Sequence, residues 1–172
     1  MLFENNELES NQLPKVENLN FEPLKVQYKK ILYINWSLFF LVLPGLPFLA
    51  EIIFETQINF WWFIVFYMIL IIGYVIGLLV INIGFPLKGF ALRDHDIVYR
   101  SGYINNKIVT VPFNRIQHTE IRQGLISRIL GLSKLKIFTA GGHNSGLYIH
   151  GISPEKAEQL KNFLSKTVSK YE

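Results

Sequence analysis

The stretches ILYINWSLFFLVLPGLPFLA, residues 31–50, and INFWWFIVFYMILIIGYVIGLLVINI, residues 58–83, decide the fold. They are 20 and 26 residues long without one ionised side chain, and between Lys30 and Lys88 the only charges are Glu51 and Glu55. At a helical rise of about 1.5 Å per residue they reach about 30 and 39 Å, against a hydrocarbon core of about 30 Å. Two buried helices of a soluble domain would carry polar positions along at least one face, and these runs carry almost none. The sequence therefore predicts a membrane α-helical hairpin within residues 29–87. A cleaved signal peptide fits poorly, because five Glu precede the first run and Phe48 stands where a cleavage site needs a small residue.

Charge sets the expected orientation. Residues 1–30 hold four Lys against five Glu, residues 31–87 hold two Glu, and residues 88–172 hold thirteen Lys and Arg against six Asp and Glu. Lys29, Lys30, Lys88 and Arg93 flank the apolar runs, whereas the connection at 51–57 has no cation. The positive-inside rule then puts both termini in the cytoplasm and the connection outside, a multi-pass protein of a cell membrane. Residues 1–28, rich in Asn and Glu without a sustained period, read as a flexible cytoplasmic tail. With no cysteine in the chain, disulfides and thiolate metal sites are excluded.

Two features mark the hairpin. Pro44-Gly45-Leu46-Pro47 removes backbone donors, so the first helix is expected to kink or end there. Gly73 and Gly77 form a small-xxx-small pair, which permits close helix packing either inside the hairpin or with another chain. Neither span contains an ionisable residue, which argues against a proton relay or ion path built by this chain alone.

Residues 88–172 read as strands followed by one helix. Strands are expected at 89–93, 97–104, 107–113, 115–122, 134–139 and 147–150, with a hairpin turn at Asn105-Asn106 and an edge or bulge in the fourth. In 134–139, Leu135 and Ile137 point inward and Lys134 and Lys136 outward. Gly124 and Gly131 bracket a short helix whose Leu125, Ile126, Ile129 and Leu130 are expected to face the core, with an exposed edge as the alternative. Ser153 and Pro154 open the C-terminal helix, and Ala157, Leu160, Phe163, Leu164 and Val168 form its apolar stripe.

Six or seven antiparallel strands closed by a C-terminal helix give the plan of a pleckstrin-homology (PH) barrel. The segments Thr110-Val-Pro-Phe-Asn-Arg-Ile-Gln-His118, Gln123-Gly-Leu-Ile-Ser-Arg-Ile-Leu-Gly-Leu132 and Thr139-Ala-Gly-Gly142, in that order, resemble the YdbS-type family of bacterial membrane proteins carrying a bacterial PH domain. The resemblance spans about residues 21–169, hairpin included. This chain departs from the family pattern at Ser127, where relatives usually have an acidic residue before the Arg matched by Arg128. The resemblance implies a membrane-anchored, non-enzymatic domain, often accompanied by a longer membrane protein with several such domains and in some cases associated with envelope stress.

Chemical constellations are absent. His95, His118, His143 and His150 show no metal-ligand spacing, Ser145 is not in a G-x-S-x-G elbow, and the glycine-rich 141–146 segment lacks the phosphate-loop pattern. No enzyme, cofactor or nucleic-acid partner is expected. Arg115, Gln117, Arg122 and Arg128 form the candidate interaction surface, for a protein or an anionic headgroup. The leading expectation is an assembly module working with a larger membrane protein of the same family, or with further copies of itself, in envelope maintenance. The alternative is an anionic-lipid sensor whose +7 domain is attracted to the membrane lipids of a negative leaflet.

Overall fold

The computed structural model describes residues 19–55, 59–103, 106–140 and 146–168. The turn expected at Asn105, the glycine-rich residues 141–145 and residues 1–18 of the expected tail lie outside them.

The first apolar run is broken where the prolines stand. Helix α1 (Gln27–Val42) passes into a 3-10 turn at Leu43–Gly45, and α2 (Leu46–Phe54) continues beyond it. Pro44 and Pro47 supply no N–H to the helical ladder, so the interruption falls on them. Helix α3 (Phe60–Gly84) is continuous and ends in a second 3-10 turn at Phe85–Leu87. Gln27–Phe54 and Phe60–Leu87 are thus two helical stretches of 28 residues, each long and apolar enough to cross a membrane. Their apolar side chains face outward, Leu41 and Ile52 being about three-quarters exposed.

Polar side chains tie the two helices together at three levels. Tyr33 Oη donates to Asn82 Oδ1 at 2.7 Å, Trp36 Nε1 donates to the Tyr74 carbonyl at 3.1 Å, and Tyr67 Oη donates to the Pro44 carbonyl at 3.0 Å. In an apolar medium each such bond replaces an otherwise unsatisfied group. Gly77 lies against the Trp36 indole so closely that a Cβ there would overlap the ring, and Gly73 faces Phe40 at ordinary contact distance.

The remainder forms two antiparallel sheets. One has the order β1-β2-β3-β4, from β1 (Glu22–Pro23), β2 (Gly89–Leu92), β3 (Asp96–Ser101) and β4 (Lys107–Pro112). The other runs β5-β6-β7, from β5 (Ile116–Arg122), β6 (Ser133–Thr139) and β7 (Gly146–Ile152). The expected closed barrel is therefore corrected to two separate sheets. Pro112 ends β4 without a donor, and the 3-10 turn Phe113–Arg115 swings the chain across before β5 begins, so no β4–β5 ladder forms. The core lies between the sheets, with Phe90, Ile97 and Phe113 meeting Leu135, Ile137 and Ile149, all essentially fully buried. Helix α5 (Pro154–Val168) closes it with Ala157, Leu160 and Leu164. Ser153 caps the helix through its side chain, Oγ accepting the Lys156 N–H at 3.3 Å.

The end of the segment read as a flexible tail is built into this domain. Glu22 and Pro23 pair with Phe90 and Gly89, Leu24 is buried, and the Lys25 N–H donates to the Gly151 carbonyl at 2.8 Å. A two-residue strand containing proline has no period to read, yet one buried leucine and an ion pair from Glu22 to Lys156 at 2.7 Å hold it. Tyr28, just inside α1, packs over Gly151 and stacks on His150 at 5.9 Å. The first helix and the last strand are locked together at this joint.

Candidate functional site

The Gln123–Leu132 segment builds a projecting edge. Gly124 leads into α4 (Leu125–Ile129), and Gly131, at φ +63°, reverses the chain afterwards, a conformation that suits glycine. Gln123 Nε2 clasps the far end, donating to the Leu132 carbonyl at 3.1 Å and to Ser133 Oγ at 2.9 Å. Leu132 and Ser133 are buried beneath this clasp. Leu125 and Ile129, by contrast, are 80% and 77% exposed. The expectation that these two face the core is overturned: the clasp lifts α4 off the sheet, and only Ile126 and Leu130 are partly covered. Helix α4 lies beside α1, so the exposed pair belongs to the end of the domain nearest the apolar hairpin.

The four candidate polar residues do not converge on one site. Arg122, on the strand leading into the edge, is exposed and pairs with Glu120 at 2.7 Å. That hydrogen bond holds the Glu120 carboxyl below its ordinary range and raises the Arg122 guanidinium. Arg128, on α4, is exposed and has no ion pair among the described residues. Arg115 sits elsewhere, in the 3-10 turn, bordering a cleft with Lys107, Pro112 and Thr139 on the β4 side. Gln117 falls at the β5 bulge, beside Lys161 and Ser165 of α5. Gly73 and Gly77 face α1 of the same chain.

A second cationic surface was not singled out from the sequence. The outer face of the β5-β6-β7 sheet carries Lys134, Lys136 and His118 interleaved with Phe138 and Tyr148, and the Arg122–Glu120 pair stands on the same face opposite Lys134 and Lys136. His118 stacks on Phe138 at 4.0 Å, Lys136 Nζ lies 3.9 Å from the Phe138 centroid, and Lys134 Nζ lies 5.1 Å from that of Tyr148. Cation–π contact holds the ammonium groups on the sheet while leaving their charge facing outward. The alternation of Lys134 and Lys136 gave the face and Phe138 continues it on β6, but His118 comes from β5 and Tyr148 from β7, through registers shifted by bulges. His150 continues this row. Burial, then Lys134 and Lys88, depress its imidazole to about 4, so it is neutral at neutral pH.

No group of three or more His, Cys, Asp or Glu side chains placed to hold a metal ion occurs among the described residues. What the geometry offers is a surface: exposed apolar residues on a rigid edge, flanked by cations and continuous with a cationic sheet face. No curated protein and no solved structure matches the chain. The model of the bacterial PH domain matches residues 38–168, from within α1 to the end of α5, and the chain belongs to that family.

Proposed function

We propose that this protein is a membrane-anchored, non-catalytic PH module that rests its α4 edge on the headgroup layer of the membrane its own hairpin crosses. The observation that carries the reading is the exposure of Leu125 and Ile129 on the same edge as Arg122 and Arg128, beside α1. A protruding apolar pair flanked by cations is the pattern of an interfacial contact, and each cation near a negative leaflet contributes about 1 kcal/mol. The outward-facing apolar side chains of Gln27–Phe54 and Phe60–Leu87 support two spans, since hydrocarbon is the medium that covers such surface at lowest cost. The cation distribution supports cytoplasmic termini. Within the family, the three sequence segments described above support a YdbS-type protein.

The native chain has no cysteine, so single cysteines at Leu125 and at Glu158 can carry an environment-sensitive fluorophore. In phosphatidylglycerol vesicles, full-length protein labelled at position 125 is expected to show blue-shifted emission that fades with added salt, while position 158 stays aqueous. Aqueous emission at both positions, in folded protein, removes the lipid-surface reading.

Assembly with a larger membrane protein of the family, in envelope maintenance, is the second reading. It is favoured by β4, an edge strand bordering a cleft of about 400 Å³ with Arg115 at its rim. An added strand from a partner fits such an edge. A proline at Thr110 that abolishes co-purification of a family partner while leaving fluorescence at position 125 unchanged would support it.

A further inference from the structure

A cleft of about 460 Å³ lies where the hairpin meets the sheets, walled by Leu32 and Trp36 of α1 and by Val80 and Ile81 of α3. Lys88, Asn35 and Tyr103 complete its border. The size falls within the roughly 300–1,000 Å³ of small-molecule clefts, and the lining is mainly apolar. Lys88 is half-buried and has no ion pair among the described residues. Burial keeps its ammonium below the ordinary lysine range. A second cation is fixed alongside, because Arg100 Nε donates to the Leu87 carbonyl at 3.0 Å.

An unpaired, half-buried ammonium beside an apolar cleft calls for an anion attached to an apolar body. Lys88 directly follows the apolar stretch Phe60–Leu87, so in a membrane-spanning chain it stands at the depth of the headgroup phosphates. Tyr103, on the same border of the cleft, supplies an amphipathic ring of the kind that settles at that depth. We infer that this cleft holds an anionic phospholipid, one acyl chain lying between α1 and α3 and the phosphate paired with Lys88. The inference rests on the membrane-spanning reading, but not on the α4 edge. A bound lipid would form part of the joint between hairpin and domain, and Lys88 would favour anionic headgroups over zwitterionic ones.

The test uses the full chain in phosphatidylcholine vesicles containing a trace of phosphatidylglycerol with an acyl-chain diazirine. After irradiation, labelled residues are located by mass spectrometry. Label is expected to concentrate several-fold on Leu32, Val80 and Ile81 over the outward-facing Ile69 and Ile72. Lys88→Gln should remove that excess, Lys88→Arg should restore it, and unlabelled phosphatidylglycerol should compete where phosphatidylcholine does not. Val80→Trp, which fills the cleft, should shift label to the outward faces. Arg122→Glu, on the α4 edge, should leave cleft labelling unchanged. Equal labelling of cleft and outward faces, or an excess indifferent to Lys88→Gln, would overturn the site as annular lipid only. Absence of label from every apolar face would instead defeat the membrane-spanning reading itself. Should Val80→Trp fail to insert, the paired Lys88 variants decide alone.

Discussion

Helices α3 and α5 solve opposite problems with similar residues. Helix α3 is apolar all round, and of its 25 residues only Gly84 is buried; α5 concentrates its apolar residues on one stripe and buries Ala157, Leu160 and Leu164. Hydrophobicity in the first is directed at something outside the chain, and in the second at the chain's own core. The short α4 sides with α3: its Leu125 and Ile129 are apolar, exposed and beside the hairpin. The contrast separates surface needed for folding from surface left for something outside the chain.

The sharpest way to break the comparison is to truncate one side chain on each helix. Leu164 is fully buried, so Leu164→Ala is expected to cost the domain about 2–5 kcal/mol through lost transfer energy and the cavity left behind. Ile69→Ala, on an outward face of α3, should cost far less, because lipid closes around the smaller side chain. Equal losses in reversible unfolding from vesicles would mean that Ile69 is packed against protein.

Gly77→Leu tests the one place where α3 behaves like a core helix. The Trp36 ring occupies the position of any side chain there, and overpacking of this kind costs about 1–3 kcal/mol. Hairpin stability in detergent should fall, Trp36→Ala should restore part of it, and Gly73→Ala, facing Phe40 at 3.5 Å, should be nearly silent. A silent Gly77→Leu combined with loss of oligomers would reassign the glycine face to a second copy of the chain.

The hairpin and α5 were legible in the sequence because each is specified by a pattern inside one continuous segment. The break at Pro44, the stripe on α5 and the inward alternation of Leu135 and Ile137 all need only local geometry. Features that depend on distant partners were not legible. Strand β1 exists because Leu24 finds a core whose nearest other strand begins at Gly89, and no local period announces that. The split into two sheets depends on how far the Phe113–Arg115 turn displaces the chain. For α4, the Leu125/Ile129 spacing is equally compatible with facing inward or outward, and the Gln123 clasp selected outward. The candidate polar residues scattered for the same reason: Arg115 and Arg122 share a neighbourhood in sequence but stand at opposite ends of β5.

The joint between the two regions carries a pH signature. His150 titrates near 4 in the folded protein against an ordinary 6.5, mainly because on the last strand it is buried under Tyr28 of the first helix. Across that interval the folded state binds fewer protons than the unfolded one. Stability should therefore be intact above about pH 6.5, decline as pH drops towards 4, and show no further loss from this group below that. The slope is at most about 1.4 kcal/mol per pH unit for one proton, and less because part of the ring meets water. His150→Gln should flatten the profile in that window. An unchanged profile would place the titration elsewhere.

The smallest expected difference lies at two helix starts. Ser153 caps α5 by accepting the Lys156 N–H, and Asn59 caps α3 by accepting the Trp61 N–H at 3.2 Å. Replacing such a cap by alanine typically costs about 0.5–2 kcal/mol. For α5 the loss acts on a 15-residue helix that closes the core, so Ser153→Ala should lower the domain's unfolding free energy by about 1 kcal/mol. For α3 the exposed Asn59 precedes a mainly apolar helix of 25 residues whose placement is fixed by the surrounding medium, and interfacial water can take over the freed N–H. Asn59→Ala should leave insertion unchanged and alter hairpin stability by only a few tenths of a kcal/mol, within the lower part of the usual range for caps. Parallel unfolding measurements on the two variants in vesicles decide the point. A loss at Asn59 as large as that at Ser153 would mean that α3 starts in a dry, protein-packed setting, and the division between lipid-directed and core-directed helices would have to be redrawn there.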